Sequence, residues 1–317
     1  MTENDAGWER EVITRLATAA LKEQRRARLW GIFFKLLTFA YITVVIALAF
    51  DWKGADGSMV GGKKHTAMVD LNGTIAAGGD ASAEKITSAL QAAFKDKNTQ
   101  GVILRINSPG GSPVQAQTIY DEMKRLRKKY PDIPLYAVVE DLCASGGYFV
   151  AVGADRIYVS KSSIVGSIGV LMNGFGFTGL MEKLGVERRL ITAGENKGML
   201  DPFSPMRDKD REYAQKLAEE IHQQFIAVVR EGRGQRLKES ADTFSGLIWS
   251  GEKSIQLGLA DGLGTLDSVA RDIIKAEDIV DYTEKENIAE KFAKRFGASV
   301  GTAMAQFVLK ASGGLVR

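Results

Sequence analysis

From Leu29 to Phe50 the chain runs for 22 residues with one charge, Lys35, a length that matches the roughly 20 apolar residues needed to cross a bilayer as a helix. Trp30 and Trp52 bracket the run as interfacial anchors, and Lys35, near its basic end, can snorkel to the headgroups. Lys22, Arg25, Arg26 and Arg28 precede the run, whereas Asp51, Lys53 and Asp56 follow it. The positive-inside bias therefore predicts a cytoplasmic N-terminal arm over 1–28, a transmembrane helix over 29–50 and an extracytoplasmic remainder. Residues 51–64, rich in glycine and lysine, read as a tether. Two other readings stand beside this one. Ala47-Leu48-Ala49 resembles a signal-peptide cleavage site, although the run exceeds the ~7–15 residues of a usual signal core, and a buried core helix can have the same composition.

After the tether, short β-type runs alternate with helical patterns over a domain spanning 65–280. The strands predicted are Thr66–Leu71, Val102–Ile106, Leu135–Val139, Arg156–Val159, Ser167–Met172 and Glu187–Ile191. The helices predicted are Ala83–Phe94, Val114–Lys129, Ser145–Val152, Leu180–Leu184 and the long amphipathic Asp208–Arg230. Such alternation indicates an α/β fold with mainly parallel strands. A C-terminal segment, 281–317, completes the chain. From Lys285 it carries Ile288, Phe292, Phe296, Val300, Met304 and Val308 at four-residue spacing, a drifting apolar stripe on a helix that needs a partner surface: its own domain, another subunit or a membrane interface.

Composition narrows the classes. A chain of 317 residues, 45% hydrophobic and 26% charged, buries a large core. Its net charge of +3 is small, and its basic residues form no aromatic-interleaved patch, which argues against a nucleic-acid partner. The single cysteine, Cys143, excludes an intramolecular disulfide and a cysteine-rich zinc site. His65 and His222 are the only histidines, so histidine-based chemistry has little to draw on.

Two glycine-rich strand ends carry the candidate chemistry. Asn107-Ser108-Pro109-Gly110-Gly111-Ser112 comes after one predicted strand, and Ala144-Ser145-Gly146-Gly147-Tyr148 comes after another and opens a helix. Adjacent glycines let the backbone turn sharply and approach a ligand. A serine at a strand-to-helix turn can protrude beside free N–H groups that stabilise an oxyanion. A plain turn is the alternative for either motif alone. To act as a nucleophile, serine needs a base. With His65 read as preceding the first strand and His222 as a helix-face residue, a desolvated lysine is the natural choice. Lys197 lies among Met199, Leu200 and Phe203, which can partly dehydrate it, while Lys161, Lys183 and Lys209 remain rivals. Cys143 reads as a small buried apolar residue. Gly174-Phe175-Gly176-Phe177-Thr178-Gly179 fits a dinucleotide fingerprint, with Glu195 near the ribose-acid offset. Its phenylalanines suit a pyrophosphate turn poorly and an apolar peptide-binding surface better.

In order, the motifs at 107–112, 144–148, 166–170 (Gly-Ser-Ile-Gly-Val) and 195–205 resemble the signal peptide peptidase A family, membrane-tethered serine-lysine proteases related in fold to Clp protease and crotonase. The resemblance covers roughly Lys64 to Ser268. It implies a Clp protease/crotonase-like β-α superhelix and a membrane-anchored serine endopeptidase with no cofactor. Ser145 is then the nucleophile, Lys197 the general base and Ser167 the residue that orients the lysine. Gly110 and the amide of Gly146 form the oxyanion hole, although the sequence leaves Gly110 and Gly111 hard to separate. Members with one catalytic domain share serine and lysine between neighbouring subunits, which implies a homo-oligomer. The substrates implied are residual signal peptides or other small extended peptides, met at the extracytoplasmic face of a bacterial inner membrane. A catalytically silent membrane scaffold of the same fold and a crotonase-like acyl-CoA enzyme are the competing functions.

Overall fold

One helix, α1, runs unbroken from Glu3 to Ala49 in the computed structural model, which describes residues 3–49 and 63–284. Its 47 residues make a rod of about 70 Å. The helix begins far ahead of the expected span because residues 9–28 are dominated by strong helix formers (Ala, Leu, Arg, Glu, Lys) and contain no proline. The basic cluster Lys22 to Arg28 is thus continuous with the apolar run. Leu21–Val44, 24 residues, is long and apolar enough to cross a membrane. Phe50, the tether as far as residue 62 and the tail from 285 lie outside the described residues.

The chain divides into two compact units, Met1–Gly61 with Glu286–Arg317 and Gly62–Lys285. The second is an α/β unit. Its described strands are β1 (His65–Asn72), β2 (Thr99–Ser108), β3 (Leu135–Ala144), β4 (Arg156–Val159), β5 (Ile164–Gly166), β6 (Ile248–Ser250), β7 (Gly262–Leu263) and β8 (Ile279–Asp281). They form one sheet in the order β6-β5-β3-β2-β1-β8, with β4 pairing β3 and β7 pairing β4. Every pairing is parallel except β5 with β6. Helices α2 (Ala83–Lys95), α3 (Pro113–Lys129), α4 (Gly146–Ala151), α5 (Thr178–Lys183), α6 (Asp208–Arg233) and α7 (Gly251–Gln256), with short helical turns at Gly234–Arg236, Leu266–Ser268 and Val269–Ile274, complete it.

Helix periodicity explains the main core. Ile86, Leu90, Ala93 and Phe94 of α2 and Ile119, Tyr120, Met123 and Leu126 of α3 are buried on one stripe each. They pack against Val69, Leu71, Val102, Leu104 and Ile106 of the central strands. A smaller cluster of Ile103, Val138, Tyr158, Val269 and Ala270 forms separately. At about 1.5–3 kcal/mol for each fully buried large aliphatic or aromatic side chain, these clusters dominate the stability of the unit.

β3 decides where the chemistry sits. Its first half pairs with β4 and its second half with β5. Its register against β2 slips between Ile106 and Ser108, from Ile106↔Val139 to Ser108↔Cys143. Extra residues on one strand bend it and re-aim the chain beyond the slip, so β3 delivers Ser145 to the edge of α4 beside the end of β5.

Two expected strands do not form. Ser167–Met172 leaves the sheet because Gly166 and Ser167 adopt positive φ, 120° and 52°, which turns the chain outward. Glu187–Ile191 puts three charged residues before two apolar ones, no strand pairs with it among the described residues, and its side chains are exposed. The strands β5 to β8, two or three residues each, are too short to show a period.

Candidate active site

Ser145 is the N-cap residue of α4 and holds φ 50°, ψ −123°, a region an L-residue occupies only where its surroundings impose it. The imposition is visible: Ser145 N–H donates to Gly166 O at 2.8 Å, and Ser145 O accepts from Phe149 N–H at 2.9 Å. The strained turn pushes the side chain out of the strand line. Ser145 is half-buried, and among the described residues its hydroxyl has no hydrogen-bond partner. The far side of α4 is tied down by Tyr148, whose hydroxyl donates to Leu259 O at 2.8 Å.

The first glycine motif closes over this turn. Gly110 has φ 96°, and a Cβ there would lie 2.6 Å from Gly146 N and 2.8 Å from Ser145 Cβ. Only glycine fits such an approach. The N–H of Gly110 is committed to Ser108 Oγ at 3.1 Å. Gly111 differs: its neighbours bond to Ile75, with Ile75 N–H donating to Gly110 O and Ser112 N–H to Ile75 O, both at 2.8 Å. Its own N–H has no acceptor among the described residues. Neither has the N–H of Gly146, the first residue of α4, where helix geometry leaves the amide unpaired. The amide left unpaired beside that of Gly146 is thus the one on Gly111, while Gly110 packs closely against the Ser145 turn.

These groups open onto a cleft of about 470 Å³ lined by Ser145, Gly146, Gly111, Val114, Phe149, Val170, Ile221 and Phe225. Phe149 and Phe225 meet with ring centroids 5.1 Å apart. Apolar walls with a few polar groups at one end suit a hydrophobic side chain next to a reacting carbonyl. The wall from α6 was hidden in the sequence, where Ile221 and Phe225 read only as part of an amphipathic stripe.

Ser167 lies beside Ser145, because Ala144 and Gly166 are register partners across β3 and β5. It is half-buried, and its N–H donates to Leu247 O at 2.7 Å. Lys197 is elsewhere. It sits exposed in a run of turns, with its N–H donating to Gly194 O at 3.1 Å, and does not line the Ser145 cleft. Among the described residues its ammonium makes no ion pair. The loop around it lines a second cavity of about 650 Å³, bounded by 170–176, 198–206 and the start of α6, which meets the first at Val170. Of the site residues read from sequence, one chain thus brings together Ser145, Gly146, Gly110 and Ser167 and leaves Lys197 apart. Its rivals fare no better: Lys209 pairs with Glu195, and Lys161 and Lys183 are exposed.

The remaining candidates have structural places. Cys143 is fully buried, and burial pushes its thiol far above the ordinary range. His65 is buried against Tyr282, its Nε2 3.1 Å from the phenol oxygen. Gly174, Gly176 and Gly179 meet nothing within 4 Å of where a Cβ would be, so the fingerprint there makes no close backbone turn. Phe177 stacks on Phe203 at 5.4 Å instead. Among the described residues no three His, Cys, Asp or Glu side chains converge as a metal-ligand set.

The sequence profile of peptidase family S49 matches residues 127–279, and that of Clp protease matches residues 65–165. A candidate protease of Synechocystis sp. is 33% identical over 206 residues, covering 64% of this chain and 71% of that protein. The chain belongs to peptidase family S49. A candidate signal peptide peptidase SppA of Enterococcus faecium is 29% identical over 240 residues, covering 73% of the S49 chain and 69% of its relative. A Brucella abortus protein named Na(+)/H(+) antiporter NhaA is 44% identical over 209 residues, 64% of this chain but 28% of that protein. The S49 chain thus spans little more than a quarter of the Brucella protein. The fold is that of a Clp protease-like domain, and the resemblance to the signal peptide peptidase A family holds over both profiles.

Proposed function

We propose that this chain is a membrane-anchored serine endopeptidase in which Ser145 attacks the peptide and Lys197, supplied by a neighbouring copy, is the general base. The observation that carries the reading is the strained Ser145 turn at an apolar cleft, flanked by the unpaired amides of Gly111 and Gly146. Neutral Lys197 takes the Ser145 proton as Oγ bonds to the scissile carbonyl carbon, and the carbonyl oxygen becomes an oxyanion held by the two N–H groups. The C–N bond then breaks, and the leaving amine takes the proton back from Lys197. Water, deprotonated by Lys197, then attacks the acyl-enzyme ester carbon; the C–Oγ bond breaks, and the Lys197 ammonium returns the proton to Ser145. Ser167 orients the lysine.

The substrates are extended peptides with apolar side chains, such as signal peptides left in the membrane. Supporting this, no backbone hydrogen bond ties Gly169 to Gly176 to other described residues, so the segment can receive a peptide as an added strand. The helix over 29–50 anchors the protein in a bacterial inner membrane with residues 1–28 cytoplasmic and the peptidase domain, 65–280, outside. Self-association is supported by the apolar side chains exposed over 171–206, including Phe175 and Ile191.

The test is labelling of Ser145 by an alkyl fluorophosphonate and cleavage of a signal-peptide-like substrate by the full-length protein. Both should vanish in Ser145→Ala, and an assembled wild-type protein showing neither is a scaffold. Sharing between copies has its own test. Randomly co-assembled Ser145→Ala and Lys197→Ala chains should recover about a quarter of the activity if each site draws on two copies; no recovery places both groups in one copy.

A further inference from the structure

His222, on α6, has its Nε2 3.1 Å from the carbonyl oxygen of Ile168. A carbonyl only accepts, so Nε2 carries the hydrogen and donates. We propose that His222 is a positioning residue for peptide binding, pinning the segment Ile168–Val170 that walls the Ser145 cleft. The inference rests on the peptidase reading above.

Three consecutive residues are held as the chain leaves the sheet. Gly166 O accepts from Ser145 N–H, Ser167 N–H donates to Leu247 O, and Ile168 O accepts from His222. The first two ties are backbone to backbone and come with the fold. The third depends on one side chain 54 residues away. It is the last tie before Gly169–Gly176, none of which makes a backbone hydrogen bond among the described residues. Ser167, at φ 52°, keeps a strained backbone only while its neighbours over-determine it.

Position makes the bond matter. Gly169 and Val170 line the cleft directly after the pinned carbonyl, and Ile221 and Phe225, on the same turns of α6 as His222, line the same cleft. One helix thereby supplies both apolar lining and the clamp that holds the segment carrying Gly169 and Val170. A peptide adding to the 169–170 edge meets a segment already held in place, and avoids the ordering cost that a loose edge imposes on binding.

The test compares His222→Gln, whose side-chain amide N–H can reach the Ile168 carbonyl, with His222→Leu and His222→Asn, which cannot. With full-length protein and a fluorogenic apolar peptide, loss of this hydrogen bond should raise KM about tenfold in the Leu and Asn variants and about twofold at most in Gln. Fluorophosphonate labelling of Ser145, which needs no peptide pairing, should stay within about threefold of wild type in all three. Amide hydrogen exchange at Ser167, whose N–H donates to Leu247 O next to the pinned carbonyl, should quicken in Leu and Asn only. A Leu variant with wild-type KM and exchange overturns the proposal, as does a Gln variant that loses as much as Leu, which would put the imidazole in the chemistry. A wild-type protein that neither labels nor cleaves overturns the peptidase reading and this inference with it.

Discussion

Gly146→Ala separates the oxyanion reading from the fold. Gly146 opens α4 without a positive φ, so alanine suits the backbone. A Cβ there would sit 3.2 Å from Gly111 N, 3.5 Å from Gly110 Cα and 3.6 Å from Ala116 Cβ. None of these is a hard clash, and a shift of a few tenths of an ångström accommodates the methyl. The native fold should survive, with a change in stability of about 1 kcal/mol or less. The reaction should not. An oxyanion has to lie about 2.7–3.1 Å from each donor, and a methyl 3.2 Å from Gly111 N crowds that amide. Loss of one such donor lowers kcat by about 10²–10³, or roughly 3–4 kcal/mol of transition-state stabilisation. The assay is kcat on a fluorogenic peptide for full-length protein, run beside thermal unfolding. A variant that unfolds like wild type and keeps kcat within about fivefold would refute the placement of the oxyanion between Gly111 and Gly146.

Three other outcomes are expected. Arg233 and Asp261 form a buried pair, 1% and 8% exposed, at 2.8 Å, so Asp261→Asn, which strands the Arg233 charge, should lower unfolding free energy by about 3–5 kcal/mol in urea titrations. Burial alone would raise the Asp261 pKa, but hydrogen bonds and charge from Arg233, the Ile157 amide and Arg236 outweigh it and hold the carboxyl below its usual 3.8. The folded state then binds fewer protons than the unfolded one, so this stability is fully present above the ordinary carboxylate pKa and is lost as pH falls below it. Asp261→Asn should flatten that part of the pH–stability curve. Ile191→Asp, at a side chain 96% exposed, should leave secondary structure intact while shifting sedimentation toward monomer and abolishing peptide cleavage; an unchanged assembly would free this face from the interface. Cys143, buried with its thiol held protonated, should resist iodoacetamide in the native protein and react on unfolding; rapid native alkylation would contradict its burial.

The elements legible in the sequence are those whose signal is local. β1 to β4 are marked by contiguous β-branched and aliphatic runs, and α2, α3 and α6 by amphipathic periods, with Ser112 accepting from Gln115 N–H as the cap of α3. The Ser145 turn was visible as a strand, two glycines and a helix. Whether Gly110 or Gly111 keeps a free amide was not decidable, because it depends on where the Ser108 hydroxyl turns and on the bridge from Gly111 to Ile75, contacts that spacing does not encode. Ser167–Met172 and Glu187–Ile191 show that a β pattern states a preference, whereas a strand needs a partner edge. The hydrogen bond from His222 to Ile168 left no trace in spacing or composition.

No local pattern marked the exposed position of Lys197. The segment 171–206 that carries it is ordered within itself: Phe177 N–H donates to Pro202 O at 2.8 Å, Arg188 pairs with Asp201 at 3.3 Å, and Phe177 stacks on Phe203. Yet it exposes Leu171, Phe175, Leu184 and Ile191, a concentration of apolar surface that single soluble domains rarely leave uncovered. On the proposed reading both facts have one cause. A lysine is a good base only when desolvated enough to be neutral, and an exposed loop cannot desolvate it. A second copy covering the apolar face removes water from the loop and brings the amine to Ser145 in the same event. On that reading assembly and activation are one step, and a lone protomer holds a nucleophile without a base.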